Sequence, residues 1–129
     1  MAKGNEDHLS RRERQIMDVL YSRQQASVAD VRRELPDPPS YSAVRALMRI
    51  LEDKGHLHHR KDGPRYLYIP TQSRRQAGRS AARRLLETFF DGSASKAMAA
   101  FLEAGDAKNN PAELDRLAKL IDQAREEGR

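Results

Sequence analysis

Tyr41, Ser42, Arg45 and Arg49 are the side chains with the most to offer chemically, and their spacing puts them on one face of a helix. Hydroxyl groups come first, then two guanidinium groups one turn apart. A guanidinium holds its donors in a fixed fork that fits the O6 and N7 acceptors of guanine or the oxygens of a phosphate. A helix that leads with short polar residues and continues with arginines has the shape that a DNA major groove admits. A solvated surface helix would carry the same residues, so the flanking segments must decide. Downstream, Arg60, Lys61 and Arg65 flank Asp62-Gly63. A hairpin tip there would carry three cations to a phosphate backbone, although charged tips also serve solubility alone. His56 and His58 stand at i and i+2 with His59 on the other face, but no third ligand follows at a metal-binding spacing, so no metal is expected. Paired carboxylates, a nucleophile elbow and a phosphate-cradling glycine loop are absent, which points away from an enzyme and from any cofactor.

The elements that must hold these groups are marked by local signals. Ser10 followed by Glu13 is a capping-box signature, and Ile16, Met17, Leu20 and Tyr21 behind it predict a first helix to Gln24 or Gln25. Ser27 with Asp30 starts a second helix, striped by Val28, Val31 and Leu35 and stopped before Pro36. After Pro38-Pro39, Ser40 caps a third helix whose apolar stripe is Val44, Leu47, Met48 and Leu51, and Gly55 ends it. His56 to Lys61 and Arg65 to Ile69 then predict two strands around Asp62-Gly63, with Pro64 lengthening the tip because it brings no ladder donor. Three helices followed by a hairpin are the order of a winged helix-turn-helix.

From Thr71 the composition shifts. Ala77, Ala81, Leu85, Leu86, Phe89 and Phe90 predict a long helix ended by Asp91-Gly92. Ala94, Ala97, Met98, Phe101 and Leu102 predict a shorter one to Gly105. Asn110-Pro111 with Glu113 opens a last helix, striped by Leu114, Leu117, Ala118 and Ile121 and fraying toward Arg129. Three narrow stripes enclose little core on their own, so they are expected to interlock with a second copy, Leu85, Phe89, Met98, Phe101, Leu114, Leu117 and Ile121 forming the interface. The expected class is mainly α with a small β-hairpin wing: a winged helix-turn-helix DNA-binding domain over residues 1–70 and a helical dimerisation domain over 71–129. The acid-free run Arg74, Arg75, Arg79, Arg83, Arg84 could face DNA, pair with Glu103, Glu113 or Asp115 of a partner subunit, or stay solvated.

Composition agrees with that reading. The chain has 129 residues, 33% of them charged and only 5% aromatic, which limits the core it can build alone. A formal charge of +5 suits a polyanionic partner. Zero cysteines exclude disulfides and zinc-thiolate sites and fit a reducing cytoplasm, where the protein is expected to reside. The start Met1 to His8 is polar and is expected to be loose and not to act as a signal peptide. No membrane insertion is expected.

Leu9-Ser10, Glu13, Ile16-Met17, Ser27, Ser40, Val44-Arg45, Leu47, Leu51 and Lys54-Gly55 before a Tyr-rich wing together resemble the penicillinase repressor (BlaI/MecI) family, best over residues 9–69. The resemblance implies a homodimer that binds double-stranded DNA at a palindromic operator and represses a β-lactamase-type or other stress-response gene. It also implies relief when a membrane-bound metalloprotease sensor system triggers cleavage in the second C-terminal helix, at a position matching Ala100-Phe101. The family usually has threonine at Ala43, arginine at Ile50 and asparagine at Ala100, and its copper-sensing branch carries cysteines that this chain lacks. Two other functions fit the residues: a winged-helix protein–protein interaction module, and a ligand-responsive regulator with an effector pocket between the C-terminal helices, lined by Phe89, Phe90, Met98 and Phe101.

Overall fold

The computed structural model describes residues 9–128, so the loose start expected for residues 1–8 and the frayed end at Arg129 lie outside the described residues. In chain order the elements are α1 (Arg11–Arg23), α2 (Val28–Glu34), α3 (Tyr41–Asp53), β1 (Leu57–Asp62), β2 (Arg65–Pro70), α4 (Arg74–Phe89), α5 (Ala94–Ala104), a single 3-10 turn (Ala107–Asn109) and α6 (Pro111–Glu127). They form two compact units, residues 1–79 and 80–129, with the division inside α4.

Each helix of the first unit starts where its capping residues dictate. Ser10 Oγ accepts the Glu13 N–H at 3.1 Å, and Glu13 Oε1 accepts the Ser10 N–H at 2.8 Å. Ser27 and Asp30 repeat the arrangement at 3.1 and 3.2 Å. Ser40 caps α3 by accepting from the Ala43 N–H at 3.1 Å, without a reciprocal bond because alanine has no acceptor to return. The end of α3 is a Schellman stop. The His56 N–H reaches Leu51 O and the Gly55 N–H reaches Glu52 O, both at 2.9 Å, with Gly55 at φ +90°, where a side chain would be strained.

Ile16, Leu20, Val31, Val44, Met48, Leu51 and Leu57 are fully buried and form the centre of one core beneath α1, α2, α3 and the hairpin. Leu47 packs at its margin, partly buried. Among the described residues, one charged group enters this core. Glu13 is 5% exposed, and the Lys54 ammonium bonds both its oxygens at 3.1 and 3.2 Å, tying the start of α1 to the end of α3. Burial alone would push the Glu13 carboxyl up, but the Ser10 N–H and Lys54 outweigh it and hold it below its ordinary value.

Arginines set the connector into α3. Arg12 donates to the Pro36 carbonyl at 2.8 Å and to the Asp37 carbonyl at 3.1 Å, and Arg32 Nε donates to the Pro39 carbonyl at 2.7 Å. Asp37 sits at φ +43°, a left-handed turn that aspartate tolerates better than most residues. These bonds replace the backbone partners that a proline-rich connector cannot find within itself.

The hairpin corrects one expectation. Asp62 pairs directly with Arg65, so the loop is Gly63-Pro64 and is not lengthened. Gly63 at φ +64° takes the first central position of a tight turn, and the next position suits the fixed backbone of proline without calling on a ladder donor. Ala26 adds a backbone bridge on the outer side of β2: its N–H donates to Tyr68 O at 3.1 Å and the Tyr68 N–H donates to Ala26 O at 2.8 Å. His56 lies outside β1 and is buried at the glycine stop, so it does not share a strand face with His58.

In the second unit Ser93 caps α5 and Asn110 caps α6, with Pro111 at the first turn. Phe90 and Phe101 meet edge to face with ring centres 6.2 Å apart. Among the described residues of this unit, only Ala97 is buried.

Candidate nucleic-acid interface

Three elements of the first unit surround an open groove of ≈ 570 Å³: the start of α2, the first turns of α3 and the tip of the hairpin. Tyr41 and Arg45 enter it from α3, Lys61 and Arg65 from the two strands. Residues far apart in the chain, each expected to meet DNA, therefore share one concave surface.

The other three expected contacts stand outside the groove. Ser42 is exposed, with its hydroxyl 3.3 Å from that of Ser40. Arg49 is exposed one turn beyond Arg45 and makes no hydrogen bond or ion pair among the described residues. Arg60 reaches Gln25 Oε1 at 3.3 Å; neighbours on a strand point to opposite faces, so it cannot follow Lys61.

The root of the wing is tied to α3 by a small aromatic cluster. The His59 ring stacks on Tyr66 at 4.3 Å, and its Nδ1 lies 2.8 Å from the Glu52 carboxylate. Tyr68 packs beneath them, buried; burial pushes its phenol up, Glu52 adds to that and Arg45 opposes it. The phenol is a neutral wall of the groove, and the Glu52–His59 contact ties β1 to α3.

Two charged groove residues were not foreseeable as such. Arg33 lines it from α2, and so does Asp30, which sequence marks only as a capping partner. Nothing local signals that α2 faces the hairpin tip; only the packing of the whole unit puts it there. Asp30 bonds Arg33 and lies 3.7 Å from Arg23 and 4.0 Å from Arg65. The Ser27 N–H foremost, and the arginines after it, hold its carboxyl below the ordinary value against some desolvation.

Among the described residues no three potential metal ligands come together, and no helix is long and apolar enough to cross a membrane. No curated protein is significantly similar to the chain in sequence. The sequence profile of the penicillinase repressor family matches residues 9–123, from the first cap to the last helix. Among the described residues, six α-helices with a two-stranded antiparallel hairpin after the third are consistent with a winged helix-turn-helix followed by C-terminal helices. By its profile and by this architecture, the chain belongs to the penicillinase repressor family of non-enzymatic, DNA-binding transcriptional repressors with a winged helix-turn-helix.

Proposed function

We propose that the chain represses transcription as a homodimer on a palindromic operator, residues 1–70 reading the duplex and 71–129 joining the two copies. The observation that carries this is the shared groove: Tyr41 and Arg45 of α3 stand across it from Lys61 and Arg65 of the wing. In this reading α3 lies in the major groove, Arg45 and Arg49 reach base edges or phosphates, and Tyr41 and Ser42 fix the entry of the helix. Lys61 and Arg65 grip the adjacent backbone, with Arg60 contributing once it leaves Gln25.

The dimer is supported by what the second unit leaves uncovered. With Ala97 its sole buried residue among those described, it exposes Phe89 at 70%, Phe101 at 50% and Ile121 at 51%. Leu85 and Leu114 are also exposed, and Met98 and Leu117 are half-buried. Leu120, which the sequence did not single out, is more exposed than Ile121 and extends the same apolar surface. Burying such side chains against a second copy is worth roughly 1.5–3 kcal/mol each, which is the core that the unit lacks.

Relief of repression through a membrane-bound metalloprotease sensor system would act at Ala100-Phe101. That bond lies inside α5, so it must unwind before a protease can take it. A cut there parts α6 from α4 and divides the surface assigned to the dimer. The protein would work in the cytoplasm, beside the DNA of a β-lactamase-type or other stress-response gene.

Footprinting of the purified protein on genomic fragments tests the central claim. Two protected half-sites related by a dyad are expected, their centres about 34 Å, or one helical turn, apart. A single unpaired footprint, or uniform coverage without preferred sites, would remove the palindromic dimer.

A further inference from the structure

Asp30 is a carboxylate in a groove whose other charged lining residues, Arg33, Arg45, Lys61 and Arg65, are all cations. Its capping duty needs one acceptor, and the Ser27 N–H takes that at 3.2 Å. The remaining lone pairs face guanidinium groups from three different elements: Arg33 of α2 in a direct bond, Arg23 of α1 at 3.7 Å, which itself bonds Glu34, and Arg65 of β2 at 4.0 Å, whose Nε bonds Asp62 at 3.2 Å. The Asp30 side chain is 15% exposed, while those of Arg33 and Arg65 are 67% and 54% exposed and free to turn toward a ligand. Arg33 and Arg65 line the groove together with Arg45 and Lys61. Guanidinium groups converging on an oxyanion are the arrangement that a phosphate group would meet there.

We propose that Asp30 is a built-in competitor for the DNA backbone, occupying groove arginines in the free repressor and restraining its affinity for DNA of any sequence. The inference rests on the groove being the DNA-facing surface. A phosphate entering between α3 and the wing must take Arg33 from Asp30 or share it, and beside Arg65, whose Nε bonds Asp62 at 3.2 Å, it again meets the Asp30 carboxylate. The penalty falls on backbone contacts, which carry no sequence information, and leaves base contacts by α3 untouched. A repressor so restrained stays longer in solution between operators, since non-specific sites compete with the operator for it.

Asp30→Asn is the discriminating variant, because its side-chain oxygen still accepts the Ser27 N–H while the charge is gone. Binding of the full chain to a fluorescent duplex of arbitrary sequence, followed by anisotropy across a salt series, should tighten about 3- to 10-fold at low salt. The log–log salt slope should steepen by about 0.9 for each phosphate contact regained. Asp30→Glu, which returns the charge, should restore the weaker binding and shallower slope. A thermal melt of each variant reports folding separately, so an unfolded Asp30→Asn, which would bind weakly, is not mistaken for a folded one. A folded Asp30→Asn that binds no tighter, or an Asp30→Glu that tightens as much as the amide, overturns the inference. Arg45→Ala measured beside them separates the two claims: if it and Lys61→Ala both leave DNA affinity unchanged, the groove assignment itself is lost and this inference with it.

Discussion

Arg45 and Lys61 line the same groove from different elements, and their chemistry assigns them different work. Arg45 projects from the helix that would enter the major groove, where a bidentate bond to one base is worth roughly 1–3 kcal/mol of discrimination. Lys61 is a point charge on a strand at the edge of the groove, suited to any phosphate. Arg45→Ala is therefore expected to weaken operator binding by roughly 1–3 kcal/mol and to relax sequence preference, while Lys61→Ala weakens all DNA alike and lowers the salt slope by about 1. Competition titrations of operator against scrambled duplex, run at several salt concentrations, measure both. If Arg45→Ala kept the parent's preference for the operator, α3 would not be reading bases through this residue. Residue types alone brought these candidates forward. Which of them converge was set by strand alternation and by the packing of α2, and this is why Arg60 stands aside and Arg33 and Asp30 join.

The elements were legible wherever the signal was local. Ser10 with Glu13, Ser27 with Asp30, Ser40 and Asn110-Pro111 each open a helix where their spacing says, since a cap and its partner lie within one turn. Contacts that join elements left no comparable trace: the Arg12 bonds to the α2–α3 connector, the Ala26–Tyr68 bridge and the Glu13–Lys54 pair all span long stretches of chain. The tight Gly63-Pro64 tip was hidden for another reason, because proline forfeits a strand bond but suits a turn. Glu13 is thus a cap by sequence and an inter-helix tie by structure, and its pH dependence exposes the second role. Its folded-state carboxyl is held below its ordinary value, so the stability it contributes is complete above the unfolded pKa, near ~4.3. That stability is lost as pH falls through the lower folded-state pKa, where Glu13 takes up its proton. Glu13→Gln keeps an acceptor for the Ser10 N–H but removes the charge facing Lys54. Urea unfolding should show the variant weaker by roughly 1–2 kcal/mol near neutral pH, with the gap closing in acid below the folded-state value. A gap of equal size at both ends of the pH range would assign the loss to packing and leave the ion pair without a role.

At the scale of the whole molecule, the two units differ in how far each can stand alone. The first unit closes a core over α1, α2, α3 and the hairpin, whereas the second leaves its large apolar side chains in water. A substitution on that exposed surface should therefore spare the reading unit and act on assembly alone. Ile121 is half exposed, so Ile121→Asp costs a single copy little, yet at a subunit interface it would bury an unpaired charge. Sedimentation equilibrium should show the variant shifted toward monomer. Its winged unit should still bind a single half-site with the parent's affinity, because no groove residue has changed. Binding to the full palindrome should fall by about 10²–10⁴-fold, the gain that a second, tethered half-site supplies. Phe89→Asp, on α4 where Ile121 is on α6, should have the same effect if both belong to one interface. A variant that remained as fully associated as the parent would move the contact between copies elsewhere, and the joining role proposed for residues 71–129 would go with it.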